Sequence, residues 1–366
     1  MHTAERRAVA ALWSLPGVGR KTLERLRARV DLASLLPSAG ADLARANPVF
    51  SAQARRGLAQ LPSLGAAADT LERRLAQLGH RVVFSGDAGY PARLTEVGDA
   101  PPLLFVLGPA ASAPRRRAAM VGTRHPDAGF SHQVRPFIEA VARAGIGVVS
   151  GGAEGVDQLC HAAALGVGGE TWAFLGCAIE QVDPPQRRLM GPFREGGGTF
   201  FSEFPPGTRP DRSTFPRRNR LISGAADAVL VLRAPQGSGA LHTARYALEH
   251  GRPLLAMPGD PFNTAAAGCN ALLHDGAARV CLAPADVLAA LGEDAAALRP
   301  PPVGDAAGPV SASAGRVLSV LQRAPIDFDA LQAKTELTAG ALLAALLELE
   351  LSGHVIQRAG RRFERR

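Results

Sequence analysis

Between about residue 70 and residue 292 the chain alternates short apolar runs with Gly-rich turns and amphipathic stretches. No other feature narrows its fold as much. The runs are Arg81–Phe84, Leu103–Leu107, Ala118–Val121, Gly147–Ser150, Thr171–Leu175, Thr199–Ser202, Ala228–Leu232 and Pro253–Met257. Several are continuously apolar, the pattern of strands covered on both faces. Helical stretches, notably Ser131–Ala144, Gly155–Leu165 and Ala240–His250, fall between them. Strand following helix following strand predicts an α/β domain, a Rossmann-like, doubly wound, mostly parallel sheet.

The flanks read differently. Residues 1–68 read as short helices of a helix-hairpin-helix or SAM-like domain, and 69–295 hold the α/β region. The Pro/Ala/Gly stretch 296–310 reads as a linker, and 311–366 as a small separate winged-helix unit. With 46% hydrophobic and 20% charged residues, global disorder is excluded. No apolar run reaches the roughly 18–20 residues of a membrane helix. Met1–Arg7 lead into no clean apolar signal core, so an unsecreted, cytoplasmic chain is expected. Cys160, Cys177, Cys269 and Cys281 form no Cys-x-x-Cys pair. They are expected to be reduced and buried, with no metal or cofactor.

The net charge of +8 is unevenly spread. Positive charge is almost all arginine, with Lys21 and Lys334 the only lysines. Residues 20–29, Arg115–Arg117, 209–220 and 358–366 together carry +15, so the rest sums to −7. Clustering of this kind points to a polyanionic partner on particular faces.

In a doubly wound sheet, ligands bind at the carboxyl ends of the strands. Gly122-Thr123-Arg124, Ser150–Gly155, Ser202–Gly207, Pro235–Gly239 and Met257–Asp260 should gather there. Ser150–Gly155 and Gly237-Ser238-Gly239 each run into a helix. Such loops are either tight turns or anion sites, because glycines let a phosphate approach free helix N–H groups. Gly-x-Gly-x-x-Gly is missing, since Ser150 takes the first place, and Gly-x-x-x-x-Gly-Lys-Ser/Thr is absent. Dinucleotide binding and ATP-driven motion are therefore disfavoured. The segment Arg209–Arg220 sets Phe215 among five arginines and one acid. Arginine forks suit phosphates and an aromatic ring suits an unpaired base, the combination that binds single strands. The alternative is a core phenylalanine with local ion pairs.

These motifs resemble the DprA (DNA-processing protein A, or Smf) family. The resemblance rests on Gly122-Thr123-Arg124, Ser150–Asp157 with Cys160-His161, Ser202-Glu203, Phe215-Pro216-Arg217-Arg218-Asn219-Arg220, Ser238–Ala244 and Pro258-Gly259. It implies a homodimer, formed through the Rossmann-like domain, that binds and shields incoming single-stranded DNA in natural transformation. It also implies RecA recombinase as a partner, loaded with the protein's help. The implied DNA pocket comprises Arg124, Arg212, Phe215, Arg218 and Arg220 beside Ser150, Gly151 and Gly152. The motif neighbours Gly122, Thr123, Arg217, Asn219, Gly237, Ser238 and Gly239 complete it. Arg212 stands where the family often has lysine, and Glu154 where a basic residue is common.

At the amino end, Leu15–Leu23 looks like a helix-hairpin-helix motif. Gly17, Gly19, Arg20 and Lys21 are either auxiliary phosphate contacts without sequence preference or parts of a structural turn. At the carboxyl end, helices Val317–Arg323, Asp327–Lys334 and Thr338–Ser352 precede a hairpin, His354–Arg358 and Arg361–Arg365. The third helix is apolar and carries Glu348 and Glu350, so it does not suit a major groove. That weighs against a duplex-DNA regulator. The rival enzymatic reading is a nucleotide hydrolase like the cytokinin-activating phosphoribohydrolases, whose loop is Pro-Gly-Gly-x-Gly-Thr-x-x-Glu. Here Thr243 takes the place of that catalytic Glu, and a hydroxyl cannot stabilise an oxocarbenium-like centre as a carboxylate does.

Overall fold

The computed structural model describes residues 2–109, 116–211, 214–298, 311–321, 325–351, 354–358 and 362–365. Arg115, Arg212, most of the expected linker and the expected hairpin turn at Ala359-Gly360 lie outside the described residues. The chain forms two compact units, Met1–Arg299 and Pro300–Arg366.

The first unit is built on nine strands: β1 (Arg81–Phe84), β2 (Leu103–Leu107), β3 (Arg117–Gly122), β4 (Gly147–Ser150), β5 (Thr171–Leu175), β6 (Thr199–Ser202), β7 (Ala228–Arg233), β8 (Leu254–Ala256) and β9 (Arg279–Val280). They lie in the order β1-β2-β6-β5-β4-β3-β7-β8-β9. Strands β3 to β9 pair in parallel, while β1 with β2 and β2 with β6 are antiparallel. The α/β expectation holds, with an antiparallel ribbon added at one edge. β9 has no counterpart among the expected strands. It is two residues long and both are exposed, so it carries no apolar pattern.

Strands covered on both faces explain the continuous apolar runs. Ala118 and Met120 of β3 pack with the helices Ala128–Arg143 and Val156–Gly166. Ala119 and Val121 pack on the opposite face with Leu221 and Ala244, from the helices Thr214–Gly224 and Gly239–Glu249. Phe105, Leu175 and Phe200 share a third cluster with the amino-terminal helices, including Leu12, Leu26 and Leu75. Trp13 adds a polar tie, its indole N–H donating to the Glu203 carbonyl at 2.8 Å. The amino-terminal helices therefore belong to the same compact unit as the sheet.

The second unit holds helices Ala312–Val320, Phe328–Thr335 and Ala339–Leu351. Its sheet comprises β10 (Ile326–Asp327), β11 (Val355–Arg358) and β12 (Arg362–Arg365) in the order β10-β12-β11. Val317, Leu331, Leu342, Leu346 and Phe363 form its core. This is a winged-helix arrangement. Its first helix starts earlier than the apolar pattern suggests. Ser311 caps it, accepting from the Ala314 N–H at 3.2 Å, and Glu348 holds the Ser311 N–H at 2.7 Å.

Candidate nucleic-acid interface

The strand order reverses at β3: β4, β5 and β6 build outwards on one side, β7, β8 and β9 on the other. Loops leaving β3 and β7 diverge there and leave a crevice at the carboxyl edge. A cavity of about 420 Å³ occupies it. Gly122, Arg124, Phe215, Arg218, Asn219, Gly237, Ser238 and Gly239 all line it, with Asp157, His242 and Thr243. Residues from four separate stretches of sequence thus converge.

The loop after β4 is locked from inside. Ser150 is fully buried, and its hydroxyl donates to the Met120 carbonyl at 2.6 Å. The Gly151 and Ala153 N–H groups donate to Asp157 Oδ2 at 3.2 and 3.3 Å. An internal carboxylate therefore takes the amides that a phosphate would otherwise claim. Burial pushes the Asp157 carboxyl up, and the Arg218 charge opposes that rise. Gly155, at φ +88°, has no room for a side chain, because a Cβ would meet the Thr123 and Arg124 carbonyls. The Val156 N–H donates to the Thr123 carbonyl at 3.1 Å, and the Thr123 N–H to the Arg233 carbonyl at 2.7 Å. Loops after β3, β4 and β7 are thereby tied together behind the cavity.

The helix Thr214–Gly224 divides the basic segment between two faces, as a 3.6-residue repeat requires. Phe215, Arg218, Asn219 and Ile222 face the cavity. Arg217 and Arg220 face Glu203 instead. Arg220 is buried, with Nη2 2.7 Å from Glu203 Oε2 and Nε 3.1 Å from Asp99. Glu203 is also buried, which pushes its carboxyl up against the pull of Arg220 and Arg217. Arg217 is exposed, 3.7 Å from Glu203 and 5.3 Å above the Phe204 ring.

Arg218 is only 3% exposed. Its Nη1 donates to the Gly151 carbonyl and, at 2.5 Å, to the Phe174 carbonyl, while Nε donates to Asn219 Oδ1 at 3.1 Å. Asn219 Nδ2 donates onward to the Gly239 carbonyl at 3.2 Å. A methyl on Gly151 would displace Arg218 Nη1 and Asp157 Oδ2 from these positions. Of the arginines expected at the pocket, Arg124 is exposed, with its guanidinium 5.4 Å from the centre of the half-buried Phe215 ring. Ser238 caps the helix Gly239–Glu249 across the crevice, and Gly237 and Gly239 are exposed beside it. Thr243 is buried.

Elsewhere, Gly19 caps the helix Arg20–Arg27 after the Gly17 turn. Arg20 is held by Glu24 at 2.6 Å and by the Gly98 carbonyl, while Lys21 is exposed. All four cysteines are free and buried. Among the described residues no cluster of metal-binding side chains occurs, and no helix is long and apolar enough to cross a membrane.

Comparison with known proteins agrees with this architecture. The model of the DNA recombination-mediator protein A family matches residues 81–292, and that of the DprA winged-helix domain matches 299–361. The Smf protein of Synechocystis sp. is 33% identical over 314 residues, 76% of this chain and 79% of that one. Other curated relatives are matched over 54% to 71% of their own length. The crystal structure of DNA processing protein A from Streptococcus pneumoniae superposes with a TM-score of 0.61 at 27% identity, covering 79% of this chain and 98% of that one. The protein of the same name from Helicobacter pylori, whose structure is described in terms of its single-stranded DNA binding mode, aligns with a TM-score of 0.50 at 24% identity. It covers 58% of this chain and 95% of that one. The chain belongs to the DNA recombination-mediator protein A family and carries the DprA winged-helix domain at its carboxyl end.

Proposed function

We propose that the chain binds single-stranded DNA at the switch-point cavity and acts as a non-enzymatic recombination mediator. The observation that carries this is the exposed Arg124 guanidinium set over the Phe215 ring at the mouth of the crevice. The ring offers a stacking platform and the guanidinium a phosphate fork. The capped start of the helix Gly239–Glu249 adds a favourable dipole on the facing wall. Asp157, Arg218 and Asn219 brace the walls behind these groups. Membership of the family supports the further reading that the protein shields incoming strands, acts in the cytoplasm and helps load RecA. It also supports a homodimer formed through the Rossmann-like domain. Arg212, expected at this pocket, lies outside the described residues and is assigned to it on sequence alone.

A nucleotide hydrolase is the rival, since the cavity has the size of a small-molecule site. The chemistry disfavours it. Thr243 is buried where the hydrolase loop has its glutamate, and Asp157 is engaged by two backbone amides. Glu203 is paired with Arg220 on the other side of the helix.

Fluorescence anisotropy of labelled oligonucleotides, single-stranded and duplex, across a salt series without ATP tests the proposal. Tighter single-strand binding with a steep negative salt slope is expected. Preference for duplex, or hydrolysis of nucleoside monophosphates without DNA binding, overturns it.

A further inference from the structure

We propose that the outer face of the helix Arg20–Arg27 is a second nucleic-acid site, which takes the phosphate backbone of duplex DNA through Lys21, Arg25 and Arg29. The basic run 20–29 is one of the four charge clusters in the sequence, and the switch-point cavity uses none of it. The site rests on the single-strand reading for its role in a mediator, but not for its contacts.

At about 100° per residue, Lys21, Arg25 and Arg29 fall within about 80° of arc, on the side away from the buried Leu23 and Leu26. All three are exposed, and among the described residues none has an ion-pair partner. Their neighbours differ. Arg20 pairs with Glu24 at 2.6 Å, and Arg27 with Glu5 at 3.3 Å. Of the nearby acids, Glu24 is thus engaged, and Asp31 accepts from the Ala33 N–H at 3.0 Å. The Gly17 turn is structural too. Its carbonyl accepts from the Ser51 hydroxyl at 3.3 Å, and a Cβ on Gly17 would lie 2.6 Å from that oxygen.

With a rise of about 1.5 Å per residue, the stripe is about 12 Å long and carries a cation about every 6 Å. One strand of a duplex has a phosphate about every 3.4 Å along its axis, so about three or four phosphates lie along the stripe. A small enclosed anion does not fit, because the cavity beside this helix is lined by Arg20, Leu23, Glu24 and Arg27 and leaves the stripe outside. An unpaired strand fits poorly as well, since its binding draws on stacking platforms. No aromatic residue occurs between Leu15 and Val49, and the flanking Trp13 and Phe50 are buried. Backbone contacts alone carry no sequence preference. Helix and cavity share one compact unit, for Arg20 donates to the Gly98 carbonyl, and Asp99 next to it pairs with Arg220 at 3.1 Å. A mediator built in this way holds an unpaired strand and a duplex on one body.

The test compares wild type, Lys21→Ala/Arg25→Ala/Arg29→Ala and Arg25→Lys/Arg29→Lys in the full chain. A labelled duplex and labelled dT20 are each titrated across a salt series. For duplex DNA the log–log salt slope changes by about 0.9 per phosphate contact, so the triple alanine variant is expected to flatten the duplex slope by about 2.7. Its dT20 curve and its melting temperature should stay at wild-type values, because the three side chains are exposed and lie outside the cavity. The double lysine variant keeps the charges and should retain the duplex slope. A wild-type duplex slope in the triple alanine variant overturns the proposal. An equal loss on dT20 and duplex overturns the assignment to duplex. Failure of wild type to bind dT20, with the duplex slope still flattened in the triple variant, overturns the single-strand reading alone.

Discussion

Arg218 is the residue whose removal tests the brace behind the cavity. Arg218→Met keeps an apolar stem and deletes the guanidinium. Three hydrogen bonds, to the Gly151 and Phe174 carbonyls and to Asn219 Oδ1, are lost. Asp157 stays buried without the cation that opposes its desolvation. Removing one partner of a buried charge pair costs about 3–5 kcal/mol. That is a large part of the roughly 5–15 kcal/mol that keeps a domain folded. Urea unfolding followed by circular dichroism should show a loss of this size. Adding Asp157→Asn should recover part of it, because the uncompensated carboxylate is then gone. A wild-type unfolding midpoint for Arg218→Met, combined with lost single-strand binding, would refute the reasoning. The guanidinium would then face the ligand rather than the protein.

Three other outcomes are expected. Phe215→Ala should weaken single-strand binding by about 1–3 kcal/mol, the worth of one stacked base, and Arg124→Ala should flatten the salt slope by about 0.7; anisotropy titrations measure both. Gly155→Ala should destabilise the first unit by about 1–3 kcal/mol in chemical denaturation, because φ +88° and the Thr123 and Arg124 carbonyls exclude a methyl. His161 should shape the acid limb. It is fully buried, its Nδ1 lies 2.7 Å from Thr171 Oγ1, and Thr171 donates onward to the Val148 carbonyl. Burial pushes its pKa down to about 3. The unfolded chain therefore takes up a proton below about pH 6.5 that the folded chain refuses until about pH 3. Stability from this group is full above pH 6.5 and falls by up to about 1.4 kcal/mol per pH unit below it. His161→Gln should remove about 2 kcal/mol of the stability lost between pH 7 and pH 5, and an unchanged pH profile would count against the assignment.

Much of the sheet was legible because both-face burial leaves continuous apolar runs. The expected runs Arg81–Phe84, Leu103–Leu107, Gly147–Ser150, Thr171–Leu175 and Thr199–Ser202 match the observed strands residue for residue. Strand direction was not legible. A short apolar run such as Leu103–Leu107 reads alike in either orientation, and the ribbon of β1 and β2 emerges only from pairing. The carboxyl-edge loops were legible as a group, since fold topology places them together whatever their details. The role of each side chain was not. Read linearly, Phe215–Arg220 is one basic cluster, yet 100° per residue sends Arg217 and Arg220 to Glu203 and leaves Phe215 and Asn219 at the cavity. The period-3.6 signal was available: Phe215, Asn219 and Ile222 share a face, and Glu203 follows a β-strand that ends beside it. Asp157 was less readable. Its carboxylate fills the position of an anion in the loop after β4, and only three-dimensional packing shows that.

The account turns on Phe215 as the platform for an unpaired base. Ultraviolet cross-linking of oligonucleotides carrying 5-iododeoxyuridine, with adducts mapped by mass spectrometry, tests that most directly. Adducts are expected on the peptide containing Phe215, and they should disappear in the Phe215→Ala variant. Adducts confined to Leu15–Arg29 or to the winged-helix unit, with none at Phe215, would contradict the account.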